Sequence, residues 1–360
     1  MPGENETPAY RVIYDTLKQE AKKAGPDGVR IGSHRELAER FGVGQSTVVR
    51  AVNRLKRDGW AYGRQGKGTY LRQRPEPEGV SQITLITPSL DTDTATYSKA
   101  LNDALDHDRY SLAVSSTHAD LNRYQQVISH VGSLRPAGII ILSLPEEVCV
   151  VDPQPLVDAG VPVVVIGEAI PGLSCDRVVF SQEDGARKVV RHVLGQGHRD
   201  IGLAVYDPSR KEPRDFIAAV RRELAAAGVD LPDDRLFPFS APHGYSAAPD
   251  PYIDATEQMA ELLAKGLECK TLIFDHDYPA VGALRAILEA GICVPEEMRL
   301  VSGMRCAVEG ASPMKLTTVD SHRARQARLA GELLIRRLAG HDGPPEVHHV
   351  DGEWVAGETL

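Results

Sequence analysis

The sequence has few cysteines and no cysteine pair. Its five cysteines are scattered along 360 residues, and no two of them form a C-x-x-C motif; they are Cys149, Cys175, Cys269, Cys293 and Cys306. This spacing argues against a disulfide framework and against a structural zinc site. We therefore expect reduced, mostly buried thiols and no bound metal.

Long apolar runs are also missing. No stretch approaches the roughly 20 apolar residues that a membrane-spanning helix requires, and the polar start at residues 1–7 lacks the apolar core of a signal peptide. Apolar residues make up 42% of the chain and charged residues 25%, as in folded globular proteins. We expect a cytoplasmic protein of two or three compact units that binds no membrane.

Positive charge is scarce overall but concentrated at one end. The formal net charge of the chain is -9, yet residues 1–74 hold 15 Lys or Arg against 8 Asp or Glu. The remaining residues, 75–360, are strongly acidic. Because phosphate binding needs local positive charge, a nucleic-acid partner is to be sought in the basic N-terminal segment.

This basic segment contains a helix–turn–helix pattern. Ser33-His34-Arg35-Glu36 has the form of a capping box, which predicts a helix start, and Gly42 suits the helix end. A second helix with one apolar face is predicted over residues 45–58. In such a motif the second helix enters the major groove with its N-terminal residues at the base edges. The candidate base contacts are Gln45, Ser46, Thr47 and Arg50.

A basic hairpin follows the two helices. Trp60-Ala61-Tyr62 and Thr69-Tyr70-Leu71 form apolar arms around a glycine-rich tip, which is typical of the wing of a winged helix. Arg64 and Lys67 in this tip can neutralise phosphates. The tip is not a nucleotide-binding P-loop, because that motif needs Ser or Thr directly after Gly-Lys, whereas here Lys67 precedes Gly68.

The head resembles the winged helix of GntR-family regulators over about residues 8–72. The resemblance rests on Arg30-Ile31-Gly32-Ser33-His34-Arg35-Glu36-Leu37-Ala38, Gly42-Val43, Thr47-Val48, Ala51-Val52, Leu55, Gly59 and Gly66-Lys67-Gly68-Thr69-Tyr70. It implies DNA contacts by Arg35, by the helix start at Gln45 and by the wing residues Gln65, Gly66 and Lys67. Family members often carry Arg where this chain has Gln45 and Val49. The protein therefore either reads a different operator or relies more on Arg50 and Arg54.

Residues 73–80 have linker composition, with two prolines, charges and a glycine. The predicted domains are a DNA-binding head at 1–72, this linker, and a body at 81–360. In the body, predicted strands alternate with predicted helices, which indicates α/β architecture with parallel sheets. The strands are expected at 83–87, 112–115, 138–143, 161–167, 201–206, 271–274 and 299–302, and the helices at 97–106, 121–133, 185–194, 213–227, 254–265 and 279–290. About 280 residues favour two lobes around a cleft.

Ligands of open α/β sheets bind beyond the carboxyl ends of the strands. The loops at these ends and their margins supply the candidate ligand residues Asp91, Tyr97, Glu168, Arg210, Arg214 and Asp275. We expect the cleft between the lobes to hold a small effector.

The body resembles the effector domain of LacI/GalR repressors, which is similar to periplasmic sugar-binding proteins. The resemblance rests on Pro136-Ala137-Gly138-Ile139-Ile140-Ile141, Asp184-Gly185-Ala186, Gly197-His198-Arg199-Asp200-Ile201, Ala280-Val281-Gly282-Ala283-Leu284, Gly291-Ile292-Cys293-Val294-Pro295-Glu296-Glu297 and Leu316-Thr317-Thr318-Val319. It implies a carbohydrate-like effector, with Asp277 at the position of a sugar-binding Asp.

Two departures from that family bear on the effector. Arg305 replaces the usual Asp of a later strand, and the family's characteristic Arg is ambiguous among Arg210, Glu212 and Arg214. Because Arg prefers carboxylates or phosphates, one hypothesis is an acidic or phosphorylated sugar. The alternative is that Arg305 pairs internally with an acid such as Asp275 or Asp277.

Two other functions have to be weighed. Asp275-His276-Asp277 could belong to an enzyme, but the sequence has no nucleophile elbow or phosphate-binding glycine loop beside it. His348-His349 is better interpreted as a strand end at the surface than as a ligand pair. A DNA-binding head on an inert dimerisation body is the second alternative. The favoured interpretation is a homodimeric repressor without catalytic activity or cofactor, in which the effector closes the lobes and thereby alters operator affinity.

Overall fold

A computed structural model describes residues 9–25, 28–57, 59–64, 68–72, 80–118, 120–143, 151–206, 208, 211–240, 253–306 and 312–360. The chain divides into two compact units, Met1–Gly79 and Val80–Leu360, called the head and the body below. Residues 73–79, which are most of the predicted linker, lie outside the described residues, so their role as a linker stays a prediction.

The described part of the head combines helices with a small antiparallel sheet. Its elements are α1 (Ala9–Lys22), β1 (Val29–Arg30), α2 (His34–Phe41), α3 (Gln45–Arg57), β2 (Ala61–Arg64) and β3 (Gly68–Leu71). The strand order is β1-β3-β2. Helices α2 and α3 form the predicted helix–turn–helix, and β2 and β3 are the arms of the predicted wing.

The capping box at the start of α2 forms as expected. The Ser33 hydroxyl accepts a hydrogen bond from the Glu36 amide at 3.2 Å, and the Glu36 carboxylate accepts one from the Ser33 amide at 2.6 Å. The bond from the Ser33 amide, together with the Ser33 side chain, lowers the pKa of the Glu36 carboxyl group. At the other end, Gly42 adopts φ 65°, a left-handed conformation that glycine tolerates without a steric penalty. Local residues therefore fix both ends of α2.

Helix α1 supplies one side of the core of the head. Ile13, Tyr14, Leu17 and Ala21, spaced along one face of this helix, are all buried. They pack with the buried apolar face of α3 and with the wing, in one cluster that includes Val52 and Leu55 of α3 and Leu71 of β3. Full burial of a Val, Leu or Ile side chain in this cluster stabilises the head by about 1.5–3 kcal/mol.

The body alternates strands and helices. In chain order they are β4 (Ser81–Thr87), α4 (Thr92–Ala104), β5 (Tyr110–Ser116), α5 (Leu121–Leu134), β6 (Gly138–Ser143), α6 (Gln154–Ala159), β7 (Val163–Gly167), β8 (Asp176–Phe180), α7 (Gln182–Gly195), β9 (Ile201–Tyr206), α8 (Lys211–Ala226), β10 (Leu236–Phe239), α9 (Ile253–Ala264), β11 (Thr271–Phe274), α10 (Asp277–Glu289), β12 (Arg299–Ser302), β13 (Thr318–Asp320), α11 (Arg323–Leu338), β14 (Val347–Val350) and β15 (Glu353–Val355).

The strands build two parallel sheets, each of which is the centre of one lobe. Lobe 1 has the strand order β14-β8-β7-β6-β4-β5, and lobe 2 has the order β10-β9-β11-β12. Two apolar clusters flank each sheet. Helices α4 and α11 contribute to one cluster of lobe 1, and α5 and α6 to the other. The predicted α/β class with parallel sheets and two lobes is confirmed.

Three connections join the lobes. The first runs from β8 to α7, the second from β13 to α11 and the third from β14 to β15. Helix α11 and strand β14 therefore return to lobe 1 although they follow lobe 2 in the sequence. The chain is interlaced between the lobes instead of building one after the other.

Asp184 ties the first connection to the third. Its buried carboxylate accepts a hydrogen bond from the Gly352 amide at 3.0 Å and binds the side chains of Arg187 and Lys188. Burial alone would raise the pKa of Asp184, but these partners outweigh it and lower the pKa. Close packing also holds the start of α7 against the end of β12, because a Cβ atom at Gly185 would overlap the carbonyl oxygen of Gly303.

The structure also shows where the predicted elements of the body differ. The helix expected at 97–106 is α4, which begins at Thr92, and the helix expected at 279–290 begins at Asp277. Elements that the sequence pattern missed are α6, β8, β10, β13, α11 and β15, while β14 was expected only as a strand end at His348-His349. Helix α11 covers the sheet of lobe 1, and β14 is an edge strand of that sheet.

The structure also bears on the cysteines and on the question of a membrane-spanning helix. The described cysteines are free thiols. Cys269 and Cys306 are buried, Cys175 is half-buried and Cys293 is exposed. Cys149 lies outside the described residues. Among the helices that the structure describes, none has the length and apolar character that a membrane crossing requires.

Candidate functional site

The N-terminal end of α3 forms the first candidate site. Gln45 and Ser46 are exposed and Thr47 is half-buried, while the opposite face of the helix is buried in the core of the head. The three polar side chains are therefore available to an external partner. Gln can bind adenine through two hydrogen bonds, and Ser and Thr can donate to phosphate or base edges.

Long basic side chains are present on α2 and farther along α3. Arg35 on α2 is 80% exposed and lies 3.2 Å from Glu39, an ion pair that water screens strongly. Arg50 and Arg54 on α3 have a feature that the sequence did not reveal. The Arg50 guanidinium lies 4.2 Å from the centre of the Tyr10 ring, and that of Arg54 lies 4.9 Å from the Tyr14 ring.

The wing carries a further stacked arginine. Tyr62 on β2 and Tyr70 on β3 stack at 5.7 Å, and the Arg64 guanidinium lies 5.5 Å and 5.0 Å from their ring centres. The rings hold Arg64 close to the tip of the hairpin. The predicted contact residues Gln65, Gly66 and Lys67 lie outside the described residues, so their contacts with DNA stay predictions.

The second candidate site is the cleft between the lobes, a cavity of about 490 Å³. It lies at the carboxyl ends of strands from both sheets, where open α/β sheets bind their ligands. Asp91, Tyr97, Glu168 and Asp275, four of the predicted ligand residues, line it. The structure thus brings together residues that are far apart in the sequence. A site of this size suits a small molecule.

On the lobe 1 side, α4 positions the predicted residues. Asp91 caps this helix, because its carboxylate accepts hydrogen bonds from the Thr94 amide at 2.8 Å and from the Ser89 hydroxyl at 2.6 Å. Tyr97 follows on the same helix, and its hydroxyl lies 3.3 Å from the side-chain oxygen of Gln326 on α11. Gln326 also lines the cleft.

On the lobe 2 side, the end of β11 supplies a carboxylate and an imidazole. The Asp275 carboxylate accepts hydrogen bonds from the Tyr206 amide at 3.2 Å and the His276 amide at 3.0 Å, and lies 2.8 Å from Nδ1 of His276. The His276 ring contacts Tyr206 and Tyr278 edge-on, at 5.7 Å and 5.8 Å between ring centres. This wall is therefore preorganised, aromatic and rich in acceptors.

Asp277 does not line the cleft, contrary to the sugar-binding role expected for it. Its carboxylate is buried in lobe 2, where it accepts hydrogen bonds from the Ser302 hydroxyl, from the Thr318 hydroxyl at 2.9 Å and from the Cys306 amide at 3.3 Å. Burial raises the pKa of Asp277 to about 6, although these bonds favour the charged form. Asp277 thus joins α10 to strands β12 and β13 in place of facing the cavity.

The two arginines proposed to contact the effector also lie outside the cleft lining. Arg305 pairs with Asp320 at 3.4 Å, so it does have an internal acidic partner, but neither Asp275 nor Asp277 is that partner. Arg214 is exposed on α8. Arg210 lies outside the described residues. The arginine that gave rise to the hypothesis of an acidic sugar does not line the cavity.

A different arginine occupies the cleft. Arg323 begins α11 directly after the second connection, and its guanidinium lies 3.3 Å from the carboxylate of Asp93 on α4. It also donates hydrogen bonds to the carbonyl of Arg305 and, at 3.0 Å, to the Ser321 hydroxyl. Arg323 therefore links helix α4 of lobe 1 to the loop after β12 in lobe 2.

Acidic side chains dominate the polar lining. The carboxylates among the lining residues are Asp91, Asp93, Glu168, Glu183, Asp215 and Asp275, and the one arginine among the described lining residues is Arg323. At one margin, Lys211 of lobe 2 lies 3.4 Å from Glu168 of lobe 1 and 2.7 Å from Asp215. The hydrogen bond with Asp215 raises the pKa of Lys211. The Lys211–Glu168 pair thus spans the cleft.

The cleft also contains side chains that bear on whether it could act as a catalytic or metal site. Burial raises the pKa of the Cys306 thiol well above its usual value, so this thiol is protonated at neutral pH and is a poor nucleophile. His349 of the predicted surface pair lines the cleft from β14, while His348 lies 2.9 Å from Glu346. Within the described ranges, no group of three or more metal-binding side chains is present.

Comparisons with known proteins match each unit separately. Residues 9–71 match the family model described as bacterial regulatory proteins of the gntR family. Residues 190–360 match the model of the periplasmic binding protein-like domain. The first match covers the winged head and the second covers most of lobe 2 and the C-terminal part of lobe 1.

Relatives with both units are known. The chain is 25% identical over 344 residues to an arabinose metabolism transcriptional repressor of Halalkalibacterium halodurans, which covers 89% of this chain and 88% of that protein. A repressor of the same description from Geobacillus stearothermophilus is 23% identical, with coverage of 86% and 85%. Among solved structures, the transcription regulator CcpA of Lactococcus lactis has a TM-score of 0.64 at 18% identity, over 78% of this chain and 99% of that chain.

The fold, the two surfaces and these similarities define a DNA-binding transcriptional regulator that responds to a ligand. The chain combines a DNA-binding head of the gntR type with a periplasmic binding protein-like body similar to that of LacI/GalR repressors.

Proposed function

We propose that this regulator is a repressor whose operator affinity is set by a small polyhydroxylated effector in the cleft between lobes 1 and 2. The observation that carries the proposal is the cleft itself, in which carboxylates and aromatic rings of both lobes face one cavity. Carboxylates accept hydrogen bonds from pairs of hydroxyl groups, and aromatic faces pack against the C–H faces of a sugar ring. Asp91 and Asp275 supply acceptors from opposite lobes.

The effector is uncharged rather than acidic. Arg305, on which the expectation of an acidic sugar rested, lies outside the cleft lining, and Arg323 is held by the carboxylate of Asp93. An anion entering the cavity would meet several carboxylates and an arginine that is already neutralised. A neutral sugar would instead find both acceptors and donors. The Asp93–Arg323 pair is therefore the feature of the cleft that favours a neutral sugar over an anion.

The names of two relatives suggest which sugars to examine first. Both are repressors of arabinose metabolism and match this chain over most of its length. At about a quarter identity the effector itself does not transfer, but pentoses are the first class to test. The cleft residues Tyr97 and Arg323 would contact such a ligand from lobe 1.

The protein acts without catalysis, as a homodimer in the cytoplasm. One winged helix offers too little contact for tight specific binding, and two heads on a two-half-site operator would supply enough. His276 is packed between two tyrosines, and the Cys306 thiol is protonated, which leaves both poorly suited to attack a substrate. No cofactor is required for this function.

Effector binding stabilises one arrangement of the two lobes. Contacts that already cross between the lobes, Arg323 with the Arg305 carbonyl and Lys211 with Glu168, respond when a ligand draws the lobes together. The change alters the heads through the segment after residue 72. Such coupling amounts to about 1–3 kcal/mol and is reciprocal, so operator DNA weakens the binding of an inducer by the same factor.

The effector class is tested by calorimetric titration of the full-length protein with a matched set: L-arabinose, its 5-phosphate and its aldonic acid, with D-ribose and D-galactose as further neutral sugars. We expect binding of a neutral sugar and none of the two anions. Asp275→Asn should weaken that binding at least tenfold, whereas Glu223→Gln, on α8 and not among the residues that line the cleft, should leave it unchanged. Tight binding of only the anions would reject the proposal.

A second measurement links the cleft to DNA. A gel shift with a fragment that carries the promoter of the protein's own gene should show binding that the neutral sugar reverses, and Asp275→Asn should bind the fragment but resist the sugar. Binding that no sugar affects would favour an inert body.

A further inference from the structure

The head has a row of cations along the seam between α1 and α3. Tyr10, Tyr14 and Lys18 follow one another at four-residue spacing on α1, and Arg50 and Arg54 have the same spacing on α3. Because residues four apart lie one helical turn apart on the same face, the two series run side by side. Each arginine lies over one tyrosine ring, Arg50 over Tyr10 and Arg54 over Tyr14.

Lys18 continues this row. Its ammonium lies 5.7 Å from the centre of the Tyr14 ring and 5.6 Å from the Trp60 ring. The two acids of α1 have other cationic partners, Asp15 with Arg11 and Glu20 with Arg40. The seam therefore presents three cations, each of which contacts an aromatic face.

Stacking has a specific consequence for an arginine. The ring holds the plane of the guanidinium, while the N–H groups at its edge can still donate hydrogen bonds. Free arginine loses rotamer entropy when it is ordered, and a stacked arginine has lost part of that entropy before it meets a partner. A stacked arginine is therefore suited to contact the phosphates that repeat along a nucleic-acid strand.

We propose that this seam, formed by Lys18, Arg50 and Arg54, binds the sugar–phosphate backbone of the DNA strand that borders α3 in the major groove, and that Tyr10 and Tyr14 are positioning residues for it. The proposal rests on the DNA-binding function of the head and sorts the residues of α3 into two groups. Gln45, Ser46 and Thr47 at the helix start contact base edges, and the two arginines contact phosphates. Arg50 then contributes affinity and register but no base specificity.

The test uses full-length protein and a fluorescein-labelled mixed-sequence DNA duplex, with binding followed by fluorescence anisotropy over a series of KCl concentrations. Each phosphate contact adds about 0.9 to the slope of log Kobs against log salt concentration. Arg50→Gln and Arg54→Gln should each reduce the slope by about one. Lys23→Gln, which removes the same charge from an exposed residue just beyond the end of α1 and outside the four-residue series of the seam, should leave the slope unchanged.

The positioning role requires a double-mutant cycle. Tyr10→Leu should weaken binding about threefold, Tyr10→Phe should not, and Tyr10→Leu should have no further effect in the Arg50→Gln background. A leucine at this half-buried position keeps bulk in the seam, and the melting temperature of the protein verifies that the head is folded. Additive effects of the two changes would mean that Tyr10 does not act through Arg50 and would overturn the positioning role.

A further outcome separates phosphate contact from base reading. On duplexes selected by the wild-type protein from a random pool, Arg50→Gln should weaken binding to all sequences alike. A loss confined to one base pair, with the slope on mixed-sequence DNA unchanged, would assign Arg50 to base reading and reject the seam. If wild-type protein shows no salt-sensitive binding to any duplex, the DNA-binding function itself fails, which is a different result.

Discussion

Arg323 and Asp93 form an ion pair of 3.3 Å inside the cleft, with side chains only 12% and 16% exposed. Helix α11 contributes the first residue and helix α4 the second, two helices that pack against each other on lobe 1. The pair thus stabilises lobe 1 and also neutralises the positive charge of Arg323 in the cavity.

Breaking this pair should destabilise the body. Asp93→Asn leaves a nearly buried guanidinium without its counter-ion, and we expect the free energy of unfolding to fall by about 3 kcal/mol. Urea unfolding followed by circular dichroism measures it. Lys99→Gln, which breaks an exposed ion pair with Asp103 on the same helix, is the matched control and should cost less than about 1 kcal/mol. Equal losses in the two variants would contradict the prediction.

Asp277 should give the body a characteristic pH dependence. Burial raises its pKa to about 6 in the folded protein, against about 3.9 in an unfolded chain. Its contribution to stability is therefore greatest below the unfolded pKa and is lost as the pH rises through 6. The free energy of unfolding of the wild type minus that of Asp277→Asn should fall by about 2 kcal/mol from about pH 4 to about pH 7. A difference that stays constant or rises over this range would count against it.

The pair of Arg337 and Asp176 should behave in the opposite sense. Arg337 on α11 binds both oxygens of the buried Asp176 carboxylate, at 2.7 Å and 2.5 Å. Burial would raise the pKa of Asp176, but Arg337 and the Glu346 amide outweigh it and lower the pKa. The stability from this pair is thus present above the unfolded pKa and lost as the pH falls.

Its test compares two adjacent arginines. Arg337→Gln should cost about 3 kcal/mol of unfolding free energy at neutral pH, and less in acid, where Asp176 takes up a proton. Arg336→Gln, which breaks a more exposed pair with Glu346, should cost under about 1 kcal/mol. Thermal or urea unfolding at two pH values decides; a loss for Arg337→Gln that grows in acid would be the opposite of what we expect.

The head was predictable because its structure is encoded locally. The Ser33 and Glu36 side chains that begin α2 are three residues apart, and the glycine that ends it follows directly. The stacking of Arg50 on Tyr10 was not predictable, because it joins residues 40 positions apart that only the packing of α1 on α3 brings together.

The cleft was predictable in outline but not residue by residue. Met304 and Cys306 line the cavity while Arg305 between them does not. Extended chain turns successive side chains to opposite sides, so an error of one position moves a residue out of the site. Arg323 was missed for another reason: α11 begins after His322 at φ 54° without a side-chain cap, so the sequence carries no start signal there.

The return of α11 and β14 to lobe 1 affects the order in which a growing chain can fold. The head is complete once residue 71 has left the ribosome, whereas lobe 1 still lacks a sheet strand and a covering helix until residue 350 has been made. Domains generally fold as units during synthesis, the N-terminal one first. A message cut short before residue 323 would therefore yield a polypeptide with a complete head but without Arg323, helix α11 and strand β14, which the ligand cleft and lobe 1 require.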